Sequence, residues 1–264
     1  MGRTTGFATE SGNAAVLRGS QGMKAQHLMP NCTIAGKSCG SMILREEKMD
    51  FNVLEELIRS RRSVRKWKKQ EISDELIVKA IELGTWAPNG GNSQSWHFVI
   101  VKNPTVIKEM ADVVQTTIDK IGSWPEAAAC KEEMTRYQKN GSYWRNAPVI
   151  LGAFARKYQS PIDKVINLRE TFDDDARRIV AFRKSAPTSI QSVAAAVTTI
   201  LIAFHRMGLG AVWLAAPLIA KKEIETILKV SPDLELVCLV AVGYPDESPE
   251  KDRKPAKEVT TFIP

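Results

Sequence analysis

The stretch from Ser189 to Met207 has the pattern of one long helix that is apolar on nearly every side and stops at Gly208. A helix with so little polar surface has to be covered all round. It is therefore either the central helix of a core or part of a subunit interface, and the residues alone leave both options open. Its most apolar part, Val193 to Phe204, contains two threonines and falls short of the roughly 18 apolar residues that a membrane span needs, so no membrane association is expected.

The composition excludes several classes of protein. Of the 264 residues, 44% are apolar and 25% are charged, which argues against disorder over the whole length and against a fibrous repeat. The formal net charge of +7 favours acidic partners such as phosphates. The sequence contains no basic helix interleaved with aromatic residues and no zinc-finger or RNA-binding motif, so nucleic acid is not an expected partner.

The four cysteines, Cys32, Cys39, Cys130 and Cys238, are scattered and do not form the framework of a secreted disulfide protein. Together with His27, the first two match no common zinc-binding spacing. The sequence therefore predicts a reduced, cytoplasmic chain without a metal site.

The first 45 residues differ from the rest of the chain. Residues 1–41 hold seven of the 16 glycines and a single aromatic residue, Phe7, and they show neither a helical nor a strand period. Such a composition buries too little apolar surface to offset the entropy of ordering. We predict a disordered leader over residues 1–45 and one folded domain over residues 46–264.

From Asp50 onward the apolar pattern becomes regular. The predicted helices are Phe51–Arg61, Ser73–Leu83, Pro104–Ile121, Ser189–Met207 and Ala220–Leu228, and the predicted strands are Trp96–Val101, Ala147–Phe154, Gly210–Leu214 and Leu234–Val242. Helices outnumber strands and do not alternate regularly with them. This favours an α+β fold, with helices around one central sheet, over a doubly wound sheet.

A basic segment, Arg61-Arg62-Ser63-Val64-Arg65, follows the first predicted helix. Cations at the end of a helix stabilise its macrodipole and are often simply solvated. The same residues also suit an anion site, because guanidinium groups present forked donors to a phosphate and the serine hydroxyl adds another.

A loop rich in turn-forming residues runs from Ala87 to Ser95 into the strand at Trp96. It is either an ordinary connection or a ligand loop. Two asparagines and a glutamine offer donors and acceptors together, which suits a polar heterocycle or a ribityl chain. Two glycines would let the backbone approach a flat ligand.

A second basic segment, Lys251-Asp252-Arg253-Lys254-Pro255, follows the last predicted strand. It is either a charged tail or a second cationic cluster that meets the same phosphate as the first.

The order and spacing of these segments resemble the nitroreductase family of FMN-dependent oxidoreductases from about Phe51 to the C-terminus. The stretches that carry the resemblance are RRSVR, APNGGNSQSWHFVIV, GLGAVWLAAP and LVAVGYPDESPEKDRKP. The resemblance implies a nitroreductase-like fold with a central mixed or antiparallel sheet surrounded by helices, in an intertwined homodimer whose two active sites are shared between subunits.

The resemblance also assigns roles to residues. It implies that FMN is bound by Arg61, Arg62, Ser63, Arg65, Pro88, Asn89, Gly90, Asn92, Gln94, Leu214, Ala215, Ala216, Lys251 and Arg253. The first arginine and the pair Lys251 and Arg253 belong to the phosphate, and Arg65 belongs to the pyrimidine edge of the flavin. The loop from Pro88 to Gln94 reaches the flavin of the other subunit.

The segment from Leu214 to Ala216 lies over the flavin ring in this resemblance, with the backbone N–H of Ala215 near flavin atom N5. It departs from the version of the family that has an acidic residue and a glycine here. A second departure is Ser95, where proline is common.

The activity implied is transfer of hydride from NADH or NADPH through bound FMN to a small-molecule substrate, namely a nitroaromatic, a quinone or an enone, in a ping-pong cycle. Relatives with special chemistry, dehalogenation or flavin fragmentation, are an alternative. So are a flavin-binding protein without turnover and a module that binds phosphate or nucleic acid through its basic clusters.

Segments 122–144 and 156–184 are expected to contribute a lid. Four aromatic residues of the first segment, Trp124, Tyr137, Tyr143 and Trp144, either stack on an aromatic substrate or serve only in packing.

Overall fold

The computed structural model describes residues 33–34, 37–38 and 51–263. The chain divides into two units, residues 1–49 and residues 50–264. In the first unit, strands β1 (Thr33–Ile34) and β2 (Lys37–Ser38) pair in antiparallel orientation. Apart from these four residues, the predicted disordered leader over residues 1–45 lies outside the described residues.

The second unit contains eight helices and four strands within residues 51–263. The helices are α1 (Phe51–Ser60), α2 (Asp74–Gly84), α3 (Pro104–Gly122), α4 (Lys131–Asn140), α5 (Pro161–Arg169), α6 (Asp174–Ser185), α7 (Thr188–Arg206) and α8 (Lys221–Ile227). The strands are β3 (Trp96–Val101), β4 (Val149–Arg156), β5 (Gly210–Leu214) and β6 (Leu234–Gly243). Short 3₁₀ turns occupy Gly90–Asn92, Pro125–Cys130, Tyr143–Asn146, Ala216–Ala220 and Ala256–Glu258.

The four strands form one antiparallel sheet in the order β3-β4-β6-β5. The two central strands, β4 and β6, are buried along almost their whole length, because helices cover both faces of the sheet. Helices α2 and α7 pack on one face, and α3 and α8 pack on the other. The predicted α+β class with a central sheet is therefore confirmed, with the sheet wholly antiparallel.

Helix α7 is a core helix of this chain. One of its faces is buried against the sheet and α2, through residues that include Val193, Ile200 and Phe204. Helix α2 approaches α7 so closely that a Cβ atom on Gly84 would lie 2.4 Å from Cγ1 of Ile200. The helix stops at Gly208, which has a left-handed φ of 77° that favours glycine. The opposite face of α7 is half-buried or exposed in the single chain.

Helix α1 also shows an apolar stripe without cover. The sequence places Val53, Leu54, Leu57 and Ile58 in one apolar stripe of this helix. Val53, Leu54 and Ile58 are exposed in the described chain, as is Phe51, and Leu57 is half-buried. No residue of α1 is buried within residues 51–263. The stripe is therefore available to a partner of some kind.

Three helices, α4, α5 and α6, form without having been predicted from the sequence. They are mostly polar, and only Ala176 and Val180 among their residues are buried. Capping starts two of them: Ser160 and Asp163 form a capping box at α5, and the Asp173 side chain accepts from the backbone N–H of Ala176 at α6. Since little of their surface faces the core, apolar periodicity could not reveal them.

One helical stretch in the described part of the chain, 174–206, is long and apolar enough to cross a membrane by length and composition alone. Its best window has a mean hydropathy of 1.5, and 44% of that window is buried inside the chain. Because core helices of other proteins pass the same test, the stretch is weak evidence for a span.

Candidate functional site

The basic segment after α1 is held in an extended conformation along the edge of the sheet. Val64 N donates to Ala211 O at 3.2 Å, and Lys68 N donates to Tyr244 O at 2.9 Å. The Trp67 indole N–H donates to Gly210 O at 2.9 Å. Gly210 is required for this approach, because a Cβ atom there would lie 2.8 Å from the Val64 side chain. The backbone from Arg61 to Arg65 is thereby fixed, and its four residue steps span about 13 Å at most.

The two basic segments meet at one cavity, which we call the cationic cavity. Its volume is about 940 Å³, and it lies between the end of α1, the outer face of α7 and the chain after β6. Arg61 and Arg62 line it together with Lys251 and Arg253, although 190 residues separate Arg61 from Lys251 in the sequence. The two basic segments, which were expected to meet the same phosphate, thus line one cavity, and their binding of a phosphate stays a prediction.

The cationic cavity carries a large excess of positive charge. Six basic side chains line it, and Asp252 supplies the one carboxylate among the lining residues. Burial, then the nearby charges of Arg253 and Arg62, lower the pKa of Arg61 below its ordinary value. Among the described residues Arg61 has no ion pair with a carboxylate. Because cations held together in this way repel one another, an anion in the cavity would be stabilising.

Arg62 adds an unused donor to the same region. Its Nη1 group donates to the carbonyl oxygens of Arg59 and Arg61, which end helix α1. Its Nε atom is buried and has no hydrogen-bond partner in the described chain. A buried N–H without an acceptor costs free energy. An oxyanion with several acceptor oxygens, such as a phosphate monoester, fits both this donor and the surrounding charge.

A histidine that the sequence analysis did not select adjoins this cluster. His205, in the last turn of α7, lies 2.8 Å from the Ser60 hydroxyl through Nε2. Burial, followed by the charges of Arg61 and Arg62, lowers the pKa of His205. A lone histidine at the end of an apolar helix gives no sequence signal for this position.

Arg65 points to a second cavity, which we call the aromatic cavity. This cavity has a volume of about 500 Å³. Its lining residues are Arg65, Arg136, Tyr137, Asn140, Gly141, Tyr143, Trp144, Trp213, Leu214, Ala215, Ala216 and Pro217. Arg65 and the three residues of the 214–216 segment therefore line one cavity, and their role in binding a flavin stays a prediction. Leu214 ends β5, and Ala215 and Ala216 begin the turn that follows.

Several contacts hold Arg65. Its backbone N–H donates to Oε1 of Glu247 at 2.5 Å, and its Nη1 donates to the Ser63 carbonyl at 3.2 Å. Burial raises the pKa of Tyr143, while the nearby guanidinium of Arg65 partly opposes the rise. The Ser63 side chain is not among the lining residues of either cavity.

The aromatic residues of segment 122–144 separate into two groups. Tyr137 and Tyr143 line the aromatic cavity. Trp144 also lines this cavity but is fully buried in the core, so its main role is packing. Trp124 is half exposed and lines neither cavity.

The loop from Ala87 to Ser95, which we call the amide loop, lies away from both cavities. Gly90 N donates to the Ser192 hydroxyl at 3.2 Å, near the beginning of α7. The end of α7 near Arg61 and Arg62, which we call the arginine end, contains His205. Ser192 and His205 are thirteen residues apart on this helix, which is about 20 Å along its axis. Pro88, Asn89, Gly90, Asn92 and Gln94 line neither the cationic nor the aromatic cavity. Within the described chain, the two basic segments therefore lie at one cavity, whereas the amide loop lies away from it.

The amide loop is nevertheless a shaped element. Asn92 and Gln94 have left-handed φ values of 49° and 46°, and Gly91 has a φ of 60°. The Asn89 side chain accepts from the backbone N–H of Gln94 at 2.9 Å, which closes the loop. Ser95, which stands where proline was noted as common, is buried with its hydroxyl unpartnered in the described chain.

No cluster of three or more His, Cys, Asp or Glu residues suited to a metal ion occurs within the part of the chain that the structure describes.

Comparisons with known proteins point to one family. A sequence model described as the nitroreductase family matches residues 58–244. Iodotyrosine deiodinase from Thermotoga neapolitana is 26% identical over 79% of this chain and 96% of that protein. A solved BluB-like flavoprotein from Clostridium difficile 630 is 28% identical with a TM-score of 0.68, over 80% of this chain and 99% of that one. A protein assigned as a nitroreductase from Desulfovibrio desulfuricans has been solved in complex with FMN. It is 25% identical with a TM-score of 0.53, over 80% of this chain and 96% of that one.

The lowered pKa of His205 gives a testable property of the cationic cavity. Because the folded pKa lies below the unfolded one, the unfolded chain binds the proton more readily, and stability falls as the pH drops through the window between the two values. We expect His205 to titrate below about 6.5 in an NMR pH titration. Its pKa should rise in an Arg61→Gln variant and on saturation with inorganic phosphate, since both reduce the neighbouring positive charge.

A Lys222→Gln variant serves as the control, since it removes an exposed charge from α8, which lines neither cavity. A His205 pKa that moves neither with Arg61→Gln nor with phosphate would contradict the electrostatic account.

Proposed function

The chain belongs to the nitroreductase family, and on that premise we propose that it is an FMN-dependent oxidoreductase that carries electrons from NADH or NADPH to a small oxidant such as a nitroaromatic or a quinone. The observation that carries this proposal is the meeting of Arg61 and Arg62 with Lys251 and Arg253 at one cavity. Of these four residues, the family resemblance assigns Arg61, Lys251 and Arg253 to the phosphate end of FMN.

The donor set suits FMN. Arg61, Lys251 and Arg253 would hold the phosphate, and the free Nε of Arg62 adds a donor at the same place. Arg65, at the other end of the fixed segment, would hold the pyrimidine edge, next to the backbone from Leu214 to Ala216. The solved relative from Desulfovibrio desulfuricans is in complex with FMN, which supports this choice of cofactor.

FMN, when bound, supplies the redox chemistry by accepting two electrons from one partner and passing them to the next. The residues of the chain then have three tasks: to hold the phosphate, to place a positive charge near the ring, and to shape a cavity for the reactants. Arg65 contributes the positive charge, and its hydrogen bonds to the Ser63 carbonyl and to Glu247 hold it in position. With a quinone as oxidant, one quinone, one dihydronicotinamide and one proton give one hydroquinone and one oxidised nicotinamide.

We assign the amide loop to the flavin of a second copy of the chain. The loop lies about 20 Å along α7 from the arginine end of its own chain, too far for both to contact one phosphate and ribityl group. The exposed apolar stripe of α1, with Val53 and Ile58, adjoins the cationic cavity through Ile58 and needs cover. A homodimer with two shared sites accounts for both features.

A cytoplasmic location fits the state of the thiols. Cys238 is a buried free thiol, and burial raises its pKa to about 12. Cys130 is a free thiol on the surface. Free thiols of this kind persist in a reducing compartment.

Reductive dehalogenation is the second candidate function. The match to iodotyrosine deiodinase covers 96% of that protein, and Tyr137 and Tyr143 give the aromatic cavity surfaces for a phenol ring. Release of iodide from 3-iodotyrosine in the presence of a reductant would favour this candidate. Rapid oxidation of NADH or NADPH with a quinone would favour the oxidoreductase that reduces nitroaromatics or quinones. It would also exclude a flavin-binding protein without turnover.

The phosphate assignment predicts the effect of removing single cations. We expect Arg61→Gln to weaken FMN binding by about tenfold or more, because a charge-assisted hydrogen bond is lost from a partly buried site. Arg253→Ala should purify largely without the yellow colour of flavin. Both affinities are measured by titration of FMN fluorescence, and both should weaken as salt is added.

Lys222→Ala is the matched control, since it removes an equally positive side chain far from the cavity lining. If Arg253→Ala remained fully yellow and bound FMN as the unaltered protein does, the phosphate site would lie elsewhere.

The shared site predicts complementation between two altered chains. Arg253→Ala damages the cationic cavity, and Asn92→Asp places a negative charge in the amide loop while keeping a residue that tolerates a positive φ. A heterodimer of these two chains has one intact site, because the unaltered loop of one faces the unaltered cavity of the other. We expect it to bind about one FMN per two chains.

The control places both substitutions in one chain and pairs it with an unaltered chain. If sites are shared, this heterodimer has no intact site. If each site belonged to a single chain, the control heterodimer would bind one FMN and the first heterodimer would bind none. A monomer in sedimentation analysis would also exclude shared sites.

A further inference from the structure

Helix α4 supplies polar side chains to the aromatic cavity that have no role in holding a cofactor. Arg136, Tyr137 and Asn140 all line the cavity. Arg136 and Asn140 stand four residues apart, on one face of the helix. That face therefore adjoins Arg65 and the backbone of Ala215 and Ala216, where a reactant would have to lie.

The charges around this cavity do not balance. Two arginines line it, and no carboxylate does. The Nη1 group of Arg65 already donates to the Ser63 carbonyl, and the carboxylate of Glu247 accepts from the Arg65 backbone N–H. Among the residues that the structure describes, Arg136 forms no ion pair with a carboxylate, not even with Glu132 or Glu133 one turn earlier on its own helix. Its guanidinium is thus free, within the described chain, to receive an anion.

The rest of the cavity suits a flat ring. Tyr137 and Tyr143 are among its lining residues, and it encloses about 500 Å³. Aromatic side chains stack on or pack edge-to-face with aromatic ligands, and a guanidinium group pairs with a carboxylate through two parallel hydrogen bonds. The amide of Asn140, on the same face as Arg136, offers a further donor to such a group.

We infer that the aromatic cavity selects oxidants in which an aromatic ring carries a carboxylate, with Arg136 as the residue that recognises the carboxylate. This inference rests on the proposed function for the place of the reaction, and it adds the class of substrate. Arg136 is a specificity-determining residue in this account and takes no part in electron transfer.

The test compares 4-nitrobenzoate with 4-nitrobenzamide, which share a ring and a nitro group but differ in charge at neutral pH. Binding to the oxidised holoenzyme is measured by titration calorimetry, with no reductant present. We expect the acid to bind about fivefold or more tightly than the amide, since Arg136 is exposed and its ion pair is partly screened. The preference should shrink as salt is added.

Variants of α4 assign the preference to one side chain. Arg136→Gln should bring the ratio of the two affinities close to one, and Arg136→Lys should restore part of it. Lys139→Gln removes a charge of the same sign from the same helix at a position that does not line the cavity, so it should keep the full ratio. Equal binding of the two probes, or a ratio that survives Arg136→Gln, would overturn the inference.

Turnover of the same two probes separates this inference from the proposed function. Reduction of both compounds with NADH or NADPH, with equal KM values, upholds the oxidoreductase and contradicts the role of Arg136. A calorimetric preference for the acid that depends on Arg136, with no reduction of either probe or of a quinone, upholds the carboxylate site and contradicts the proposed function. A lower KM for the acid that Arg136→Gln removes supports both.

Discussion

The pairing of residues 63–68 with the edge of the sheet is the constraint on which the rest of the site depends. Val64 is bonded to Ala211, and Lys68 to Tyr244, so this segment behaves as a short edge strand although it follows directly from helix α1. The close approach at Gly210 allows no side chain between them. As a result Arg61 and Arg65 are fixed at the two ends of one extended stretch and face two different cavities.

This arrangement holds like charges together at a cost. The pKa of Arg61 is lowered by burial and by its cationic neighbours, and a buried N–H of Arg62 has no acceptor among the described residues. Structures seldom keep such features unless a ligand compensates them. A bound phosphate would remove both penalties, so cofactor binding and folding should stabilise each other. The two cavities suit different ligands. The cationic cavity needs an anion of high charge, whereas the aromatic cavity offers the guanidinium of Arg136, which has no ion pair among the described residues, beside aromatic rings.

Those parts of the fold that depend on local sequence patterns could be predicted from the sequence. The strands Trp96–Val101 and Gly210–Leu214 were predicted with the bounds that the structure has, and Gly208 ends α7 as expected. The resemblance to the nitroreductase family is confirmed by the match over residues 58–244. Helices α5 and α6 escaped prediction because few of their residues are buried. His205 and Arg136 could not be selected, since their importance comes from neighbours that only the tertiary fold supplies. The roles assigned to the amide loop stay predictions, because the loop meets neither cavity of its own chain.

The most direct measurement compares the affinities of FMN and riboflavin for the apoprotein, because the two differ only in the phosphate group. If the cationic cavity holds the phosphate, FMN should bind at least about a hundredfold more tightly at low salt, given several charge-assisted contacts, and the ratio should fall steadily as salt is added. Equal affinities, or a ratio that does not respond to salt, would show that the basic segments serve another purpose.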